Sequence, residues 1–526
     1  MQRRRFFASI GILTAAMSAK GASAAEPHVA DTPGGVVPDA PAGGASAEQA
    51  LRIYLERIAE IDRKGPQLRS FIELNPDAPH IARALDAERK AGMVRGPLHG
   101  VAIALKDNIA TGDRMATTAG SLALDDVRAT RDAYLVARLR DAGAVIIGKT
   151  NLSEWANIRS TRSSSGWSAR GGLTRNPYAL DRSTSGSSSG SAAAVAANLV
   201  AMAVGTETDG SIVSPASIHG LVGLKPTVGR ISRDGIIPIS HTQDTPGPIT
   251  RTVSDAALLL SAMADADTQD SATSQAPTPD DYLRALNKDA LRGARIGVAR
   301  DYFTGHDEVD QQIERAIAQM KSMGAEVIDP IDLPKVSYGD EEQAVLLHEL
   351  KHDLPLWLQT FVPHAQVRNL ADVIAFNDAH RSREMPYFGQ ELFTQAQALG
   401  DLDSDVYKKA LATCSKKARD EGLARVIRAQ RLDAIVAPTG GTAWLTDFIN
   451  GDSAGDGFST PAAVAGFPHL TVPAGFVRGL PVGVSFVGPA WSEARLLALG
   501  YAFEQATQWR REPRYVAQTS MPPLDA

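Results

Sequence analysis

Hydrophobic residues alternate between helical and strand-like spacing along most of the chain. Leu51, Leu55, Ile58 and Ile61 recur every three or four residues, which predicts a helix behind the capping-box candidate Ser46–Gln49. Other helical stretches are predicted at 81–91, 132–142, 308–323 and 496–507, and 344–421 is mostly helical. Short apolar runs favour buried strands, and they occur at 101–105, 145–147, 294–298, 326–328 and 434–437, with paired strands at 467–476 and 479–488. Helices that alternate with strands predict an α/β fold.

The first 25 residues have the pattern of a secretory signal. A basic start precedes an apolar centre at 6–19 and small residues at Ala22–Ala24, and the centre is shorter than the ~20 residues of a membrane-spanning helix. Arg3–Arg4 before Phe6–Phe7 resembles a twin-arginine signal, which implies an exported, periplasmic or secreted bacterial protein. Residues 26–44 are rich in Pro, Gly and Ala and are predicted to be a linker.

Composition narrows the possible partners. The chain has 526 residues and a formal net charge of −6, so electrostatics favours neither nucleic acid nor stable association with an anionic membrane. Cys414 is the single cysteine, and the fold therefore needs no internal disulfide. By length alone the chain could hold two or three domains.

The stretch 184–226 contains two clusters of Ser and Gly, 185–191 and 206–214, on either side of an apolar segment. Glycine lets backbone N–H groups converge on a ligand, and serine supplies hydroxyl groups that donate, accept or attack. A flexible Gly/Ser linker is the alternative, but it fits badly with the apolar residues 192–204 between the clusters. We therefore expect the two clusters to face each other across one site.

The sequence of this stretch resembles a known family. SGSSSGSAAAVAAN at 185–198, followed by GTETDGSIVSPA at 205–216, is similar to the signature of the amidase signature family, and PLHGVAIALKD at 97–107 resembles a second motif of that family. The family uses a Ser–Ser–Lys triad. The resemblance implies Ser211 as the nucleophile, Ser187 as the bridging serine and Lys106 as the base.

The resemblance also carries expectations about fold and site. It covers about residues 45 to 510 and implies one large amidase domain, placed at 45–515, with a mixed, twisted β-sheet layered by α-helices. The backbone N–H groups of Thr208, Asp209, Gly210 and Ser211 would form the oxyanion hole. In the family the bridging serine takes part in a cis peptide bond. No cofactor and no metal are implied.

The chemistry agrees with these residue types. Serine is a weak nucleophile until a base removes its proton. Lysine can be that base only when it is neutral, and burial at the end of an apolar strand would lower its pKa. Without the motif, a solvated strand end would be the preferred interpretation of Lys106.

Three residues depart from the common family pattern: Glu207 replaces Asp, Asp209 replaces Gly, and Val213 replaces Arg. An aspartate aimed at the oxyanion would oppose catalysis, so the side chain of Asp209 must point away from it or contact another part of the substrate. The signature, together with 163–172 and 233–248, most resembles the peptide amidases within the family. The predicted reaction is thus removal of ammonia from the C-terminal amide of a short peptide or another small amide. Polar turns at 117–121 and 163–168 would line the cavity.

Three other functions stay open at this stage. A general aliphatic or aryl amidase would use the same triad. The A subunit of a tRNA-dependent amidotransferase shares it too, but works in the cytosol, against which the export signal argues. A non-catalytic binding protein would not need Lys106, Ser187 and Ser211 together.

Other motifs are weaker. Residues 143–150 match the bare P-loop pattern, but their apolar centre favours a buried strand. Residues 186–190 match the nucleophile elbow around Ser188, but no hydrophobic strand precedes them. His348 and His352 match a zinc-protease motif that has no recognisable third ligand. His219 and His241 are alternative bases that the triad does not need.

Overall fold

The computed structural model describes residues 46–455 and 457–519. Within them, eleven strands form one mixed sheet in the order β1-β3-β2-β6-β8-β7-β12-β13-β11-β9-β10, and β4 pairs with β5 in a separate ribbon. The strands are β1 Phe71–Leu74, β2 Ala102–Lys106, β3 Val145–Thr150, β4 Trp167–Ser168, β5 Gly172–Leu173, β6 Met202–Glu207, β7 Val222–Lys225, β8 Thr245–Thr250, β9 Arg295–Val298, β10 Glu326–Ile328, β11 Ala434–Pro438, β12 His469–Val477 and β13 Leu480–Val487.

The helices surround this sheet. They are α1 Ala47–Arg57, α2 Ala78–Lys90, α3 Tyr134–Asp141, α4 Ser189–Ala196, α5 Val213–Ile218, α6 Val253–Met263, α7 Asp307–Ser322, α8 Gly339–Phe361, α9 Leu370–Ala379, α10 Arg381–Glu384, α11 Glu391–Ala398, α12 Asp405–Cys414, α13 Ala424–Gln430, α14 Thr460–Ala465 and α15 Glu493–Thr507. The predicted single large α/β domain with a mixed sheet is confirmed.

The half of the sheet that contains β2 and β6 is parallel at its centre. β2 pairs in parallel with both β3 and β6, whereas β8 joins β6 in antiparallel fashion. Every residue of β2, β3 and β6 is buried, because parallel strands are covered on both faces. The carboxyl ends of β2 and β6 therefore lie at one edge, deep inside the protein.

Local sequence signals account for several elements. Ser46 caps α1 through the predicted capping box with Gln49. The apolar run predicted as a strand at 145–147 extends to Thr150, since Lys149 is buried and donates to the Ile109 carbonyl oxygen (2.6 Å). The stretch 344–421 is mostly helical, as predicted, and contains most of α8 and all of α9 to α12.

Part of this helical stretch has an apolar cluster apart from the main core. Tyr338, Val345, Tyr407 and Cys414 are buried together there, and Cys414 is a free thiol. We call the two helices that share this cluster, α8 and α12, the roof.

No helix within 46–455 and 457–519 has the length and apolarity needed to cross a membrane. The predicted export signal (1–25) and linker (26–44) lie outside the described residues and stay predictions.

Candidate active site

The parallel strands β2 and β6 bring Lys106 and Thr206 together at their carboxyl ends. Lys106 Nζ donates to the Thr206 hydroxyl oxygen (2.9 Å) and to the Thr206 carbonyl oxygen (3.1 Å). The Asn108 amide also donates to the Thr206 hydroxyl oxygen (3.0 Å). The lysine side chain is thus fixed by two oxygens of one residue, whose hydroxyl is itself held by Asn108.

Lys106 also donates a hydrogen bond to Ser187. Its Nζ lies 2.7 Å from Ser187 Oγ, and both side chains are fully buried. Burial lowers the pKa of Lys106 to about 7, although the negative charges of Asp244 and Glu207 act in the opposite direction. A substantial fraction of Lys106 is therefore neutral at pH 7, the state in which an amine accepts a proton.

The two Ser/Gly clusters lie side by side, as the sequence predicts. Ser187 and Ser188 stand directly before α4, and the Ser188 backbone N–H donates to the Ser211 carbonyl oxygen (3.2 Å). Ser185 and Ser214 join the clusters a second time through their hydroxyl groups (2.8 Å). The peptide bond between Gly186 and Ser187 is cis, in agreement with the family resemblance.

Glycine is required on both sides of this contact. A Cβ atom at Gly186 would lie 2.2 Å from Ser153 Oγ. Gly210 has a φ of +76°, a conformation that side chains disfavour, and a Cβ atom there would approach Ser459 Oγ to 3.0 Å. Gly186 therefore lets the Ser187 loop pack against Ser153, and Gly210 lets the Ser211 loop pack against Ser459.

The loop between β6 and α5 presents free backbone donors. Among the described residues, none of the backbone N–H groups of Thr208, Asp209, Gly210 and Ser211 donates to a protein acceptor. The next two N–H groups, of Ile212 and Val213, both donate to the Glu207 carboxylate (2.7 and 3.0 Å). Glu207 thereby orients this loop. The free N–H groups of residues 208–211 in the loop are suited to stabilise an oxyanion.

The side chain of Asp209 is held by Thr460, the first residue of α14. Thr460 donates to its Oδ2 (2.5 Å), whereas Oδ1 is buried without a hydrogen-bond partner within the described residues. Burial raises the pKa of Asp209, although the hydrogen bonds from Ser459 and Thr460 and the charge of Lys225 lower it in part.

Several residues of the site were not predicted from the sequence. Asp244 accepts from the Thr208 hydroxyl (2.5 Å) and from the backbone N–H groups of Ile239 and Ser240 (2.8 and 2.9 Å). Burial raises the pKa of Asp244 to about 6, although these hydrogen bonds act in the opposite direction. Thr206 lies inside the signature and could have been found there, whereas no local pattern singles out Asp244.

A cavity of about 320 Å³ adjoins these loops. It is bounded by the two serine loops on one side and by the segment 439–460 on the other. Its lining residues are Asn157, Ser165, Ser185, Gly186, Asp209, Gly210, Ser214, Ser217, Ile218, Thr439, Gly440, Gly441, Trp444, Asp452, Ala454, Gly455, Gly457, Ser459 and Thr460. Ser165 confirms one predicted polar turn as part of the lining.

The other predicted turn, 117–121, does not line this cavity. Thr117 accepts from Lys149 Nζ (2.8 Å), Thr118 donates to Asp107, and Ser121 donates to Glu384 (3.2 Å). These hydroxyl groups instead satisfy buried charges, which no local pattern in the sequence indicates.

The alternative nucleophile and P-loop interpretations find no support. Ser188 Oγ is buried and bonded to the backbone of Thr206, donating to its carbonyl oxygen (3.1 Å) and accepting from its N–H (3.2 Å). Residues 145–150 of the P-loop match form the buried strand β3.

The histidines have other partners. Burial lowers the pKa of His219 to about 4, and its Nδ1 lies 2.7 Å from the Pro215 carbonyl oxygen. His241 lies 2.7 Å from Asp353, and His348 contacts the Ala344 carbonyl oxygen (2.6 Å). Across 46–455 and 457–519, no group of three His, Cys, Asp or Glu side chains is arranged to hold a metal ion.

Comparison with known proteins identifies the family of the chain. The family model described as Amidase matches residues 49–497, and the chain belongs to the amidase signature family. The crystal structure of the native peptide amidase from Stenotrophomonas maltophilia is 51% identical, with a TM-score of 0.87 over 90% of this chain and 96% of that one.

Two relatives known from sequence are also similar. A probable amidase of Arabidopsis thaliana is 41% identical over 90% of this chain and 89% of its own length. The A subunit of the glutamyl-tRNA(Gln) amidotransferase of Pseudomonas syringae pv. syringae is 36% identical over 88% of this chain and 95% of its own length. The protein is an amidase-type enzyme that resembles peptide amidase in structure.

Proposed function

We propose that the protein hydrolyses the C-terminal carboxamide of short peptides and releases ammonia through Ser211, Ser187 and Lys106. The observation that carries this proposal is the 2.7 Å hydrogen bond from the buried Lys106 amine to Ser187 Oγ. An amine held on a serine hydroxyl and partly neutral at pH 7 is suited to proton relay.

The reaction begins with proton transfer away from the nucleophile. Ser187 passes its proton to neutral Lys106 and takes the proton of Ser211. The oxygen of Ser211 then attacks the carboxamide carbon, and the free N–H groups of residues 208–211 stabilise the oxyanion.

The same relay runs in reverse during breakdown of the intermediate. Lys106 returns the proton through Ser187 to the leaving nitrogen, the C–N bond breaks, and ammonia departs from an acyl-enzyme on Ser211. Water, deprotonated by the relay, then attacks the ester, and the peptide acid leaves as Ser211 regains its proton.

The cavity supports a peptide substrate over a simple aryl amide. Trp444 is the one aromatic side chain among its lining residues within the described chain, and hydroxyl, amide and glycine groups make up most of the wall. Such groups can pair with a peptide backbone, and the similarity to peptide amidase points to the same substrate.

The sequence similarity to amidotransferase A subunits supports a second candidate function. Such a protein would transfer ammonia from glutamine within a larger assembly. Incubating the isolated protein with glutamine and with a dipeptide amide, and measuring free ammonia, separates the two functions.

The substrate test compares a dipeptide amide with benzamide and a short aliphatic amide at equal concentration. Mass spectrometry should show that the dipeptide amide becomes the dipeptide acid with its internal peptide bond intact. A clear preference for either simple amide would leave a general amidase and exclude the peptide assignment.

Export is a further part of the proposal. Residues 1–25 would be removed as a signal of the twin-arginine type, and 26–44 would link it to the amidase domain at 45–515. Mass measurement of the protein recovered from the periplasm or medium tests this, and a full-length cytosolic protein would contradict it.

A further inference from the structure

The cavity beside Ser211 is lined by two carboxyl groups and by no basic side chain within the described residues. Asp209 and Asp452 both line it, and no Lys, Arg or His is among its lining residues within the described chain. Neither aspartate forms an ion pair with any residue in 46–455 or 457–519. Because low-dielectric walls focus the field of such charges, the cavity favours a neutral or positively charged substrate over an anion.

The two aspartates differ in how accessible they are. Asp209 stands beside Gly210, and its Oδ1 is buried. Asp452 lies on the segment 439–460 and is an exposed residue, although partial burial of its carboxyl group raises the pKa of that group. A substrate group that enters from solvent therefore meets the carboxylate of Asp452.

The carboxylate of Asp452 is held in place by neutral donors. The Ser165 backbone N–H lies 3.1 Å from both of its oxygens, and Trp444 Nε1 donates to Oδ1 (3.2 Å). Each carboxylate oxygen can accept more than one hydrogen bond. Asp452 is thus oriented by the protein and retains accepting capacity for a ligand.

We propose that Asp452 is a specificity-determining residue that binds an alkylammonium group of the substrate. In a short peptide amide, the free α-ammonium group would occupy this subsite. A lysine side chain carries the same kind of ammonium group. Trp444 lines the cavity next to this carboxylate, and indole rings attract cations. This inference rests on the proposed peptide-amidase function, because the subsite would act on the substrate held at Ser211.

The test separates charge from loop anchoring. Asp452→Asn keeps an oxygen that can accept from Ser165 and Trp444, so the segment stays attached while the charge is lost. Asp447→Asn is the matched control, because Asp447 lies on the same segment outside the cavity lining and its Oδ1 caps the N–H groups of Ile449 and Asn450. Thermal unfolding checks that both variants are folded.

Three substrates distinguish the source of the ammonium group: a dipeptide amide with a free N-terminus, its N-acetylated form, and an N-acetylated dipeptide amide that carries a lysine side chain. For the parent protein we expect kcat/KM to be about tenfold higher for a substrate that holds an ammonium group in the subsite, the effect typical of a hydrogen bond to a charged group. Asp452→Asn should remove this preference and leave the uncharged N-acetylated substrate within about twofold of the parent value. Asp447→Asn should retain the preference.

If only the substrate with a free N-terminus has the higher kcat/KM, the subsite binds the α-ammonium group. If only the lysine-bearing substrate has it, the subsite binds a side-chain ammonium group. Equal losses on all three substrates would make Asp452 a structural anchor and overturn the inference. So would a parent enzyme that is indifferent to the ammonium group.

Failure of the proposed function is recognised separately. If no dipeptide amide is hydrolysed, that function fails, and binding of the same three compounds to Ser211→Ala, with and without Asp452→Asn, is measured by calorimetry. Weaker binding of the ammonium-bearing compound after Asp452→Asn supports the subsite. Unchanged binding overturns it.

Discussion

The proposed triad and the mouth of the cavity are built in opposite ways. Lys106, Ser187 and Ser211 lie at or beside the ends of strands or helices and are almost wholly enclosed. Trp444 and Asp452 belong to the segment 439–460, which has few regular elements and several exposed side chains. Rigid elements fix the reacting groups, whereas a loop borders the space for the remainder of the substrate.

This contrast predicts which kinetic constant, kcat or KM, changes when a residue in either region is mutated. Groups held by the sheet act on the transition state, so their loss lowers kcat. Groups on the loop contact parts of the substrate that do not react, so their loss raises KM with little change in kcat. Variants in the two regions therefore test this division.

Ser211→Ala should have the largest effect, a loss of about 10⁴-fold or more in kcat, because the attacking oxygen is removed. Steady-state ammonia release measures it, and circular dichroism confirms folding. Ser188→Ala is the matched control in the same signature and should retain most of the activity. If Ser188→Ala is inactive and Ser211→Ala is not, the nucleophile assignment is wrong.

Lys106→Met should lower kcat by about 10³-fold, because the proton relay loses its end point. The control is Lys149→Met, which removes another fully buried lysine, one strand away, whose partners are Ile109 and Thr117. That variant should lose stability and keep kcat per folded molecule. Equal kcat losses in the two variants would mean that burial of a lysine, rather than its contact with Ser187, matters.

The acid limb of kcat/KM should have its midpoint near pH 7, because the pKa of Lys106 is lowered to about 7 by burial. Below this pH the amine is protonated and cannot accept a proton, so activity falls as the pH falls. Asp244→Asn removes a charge that raises the pKa of Lys106, and it should therefore move the midpoint to lower pH. A shift to higher pH would contradict the assignment of the limb to Lys106.

The parts of the candidate active site that could be predicted from the sequence are those whose residues lie within one continuous motif. Lys106, Ser187 and Ser211 lie in continuous motifs, and the apolar run before Lys106 predicts strand β2. Asp244 reaches Thr208 across 36 residues through the pairing of β6 with β8. Thr460 reaches Asp209 across 251 residues. Contacts of this kind follow from strand order, which local patterns do not encode.

At the cavity mouth, Trp444→Ala should raise KM about fivefold and leave kcat within about twofold, because ground-state and transition-state contacts are lost together. Leu445→Ala is the control, since this neighbouring side chain is exposed and does not line the cavity. Kinetics with a dipeptide amide provide the comparison. A drop in kcat at constant KM would place Trp444 with the reacting groups.

The smallest effect is expected from chelation. The proposed relay uses no metal, so prolonged treatment with a chelator should leave kcat/KM unchanged. Loss of activity that zinc restores would overturn the Ser–Ser–Lys relay.

The single cysteine makes the roof observable on its own. Cys414 is the last residue of α12 and is buried, together with Val345 of α8, in an apolar cluster separate from the main core. A thiol reagent can reach it only when these helices part, so the labelling rate reports the opening equilibrium of the roof. If labelling proceeds faster than global unfolding, the roof opens as an independent cooperative unit while the sheet that holds the triad stays folded.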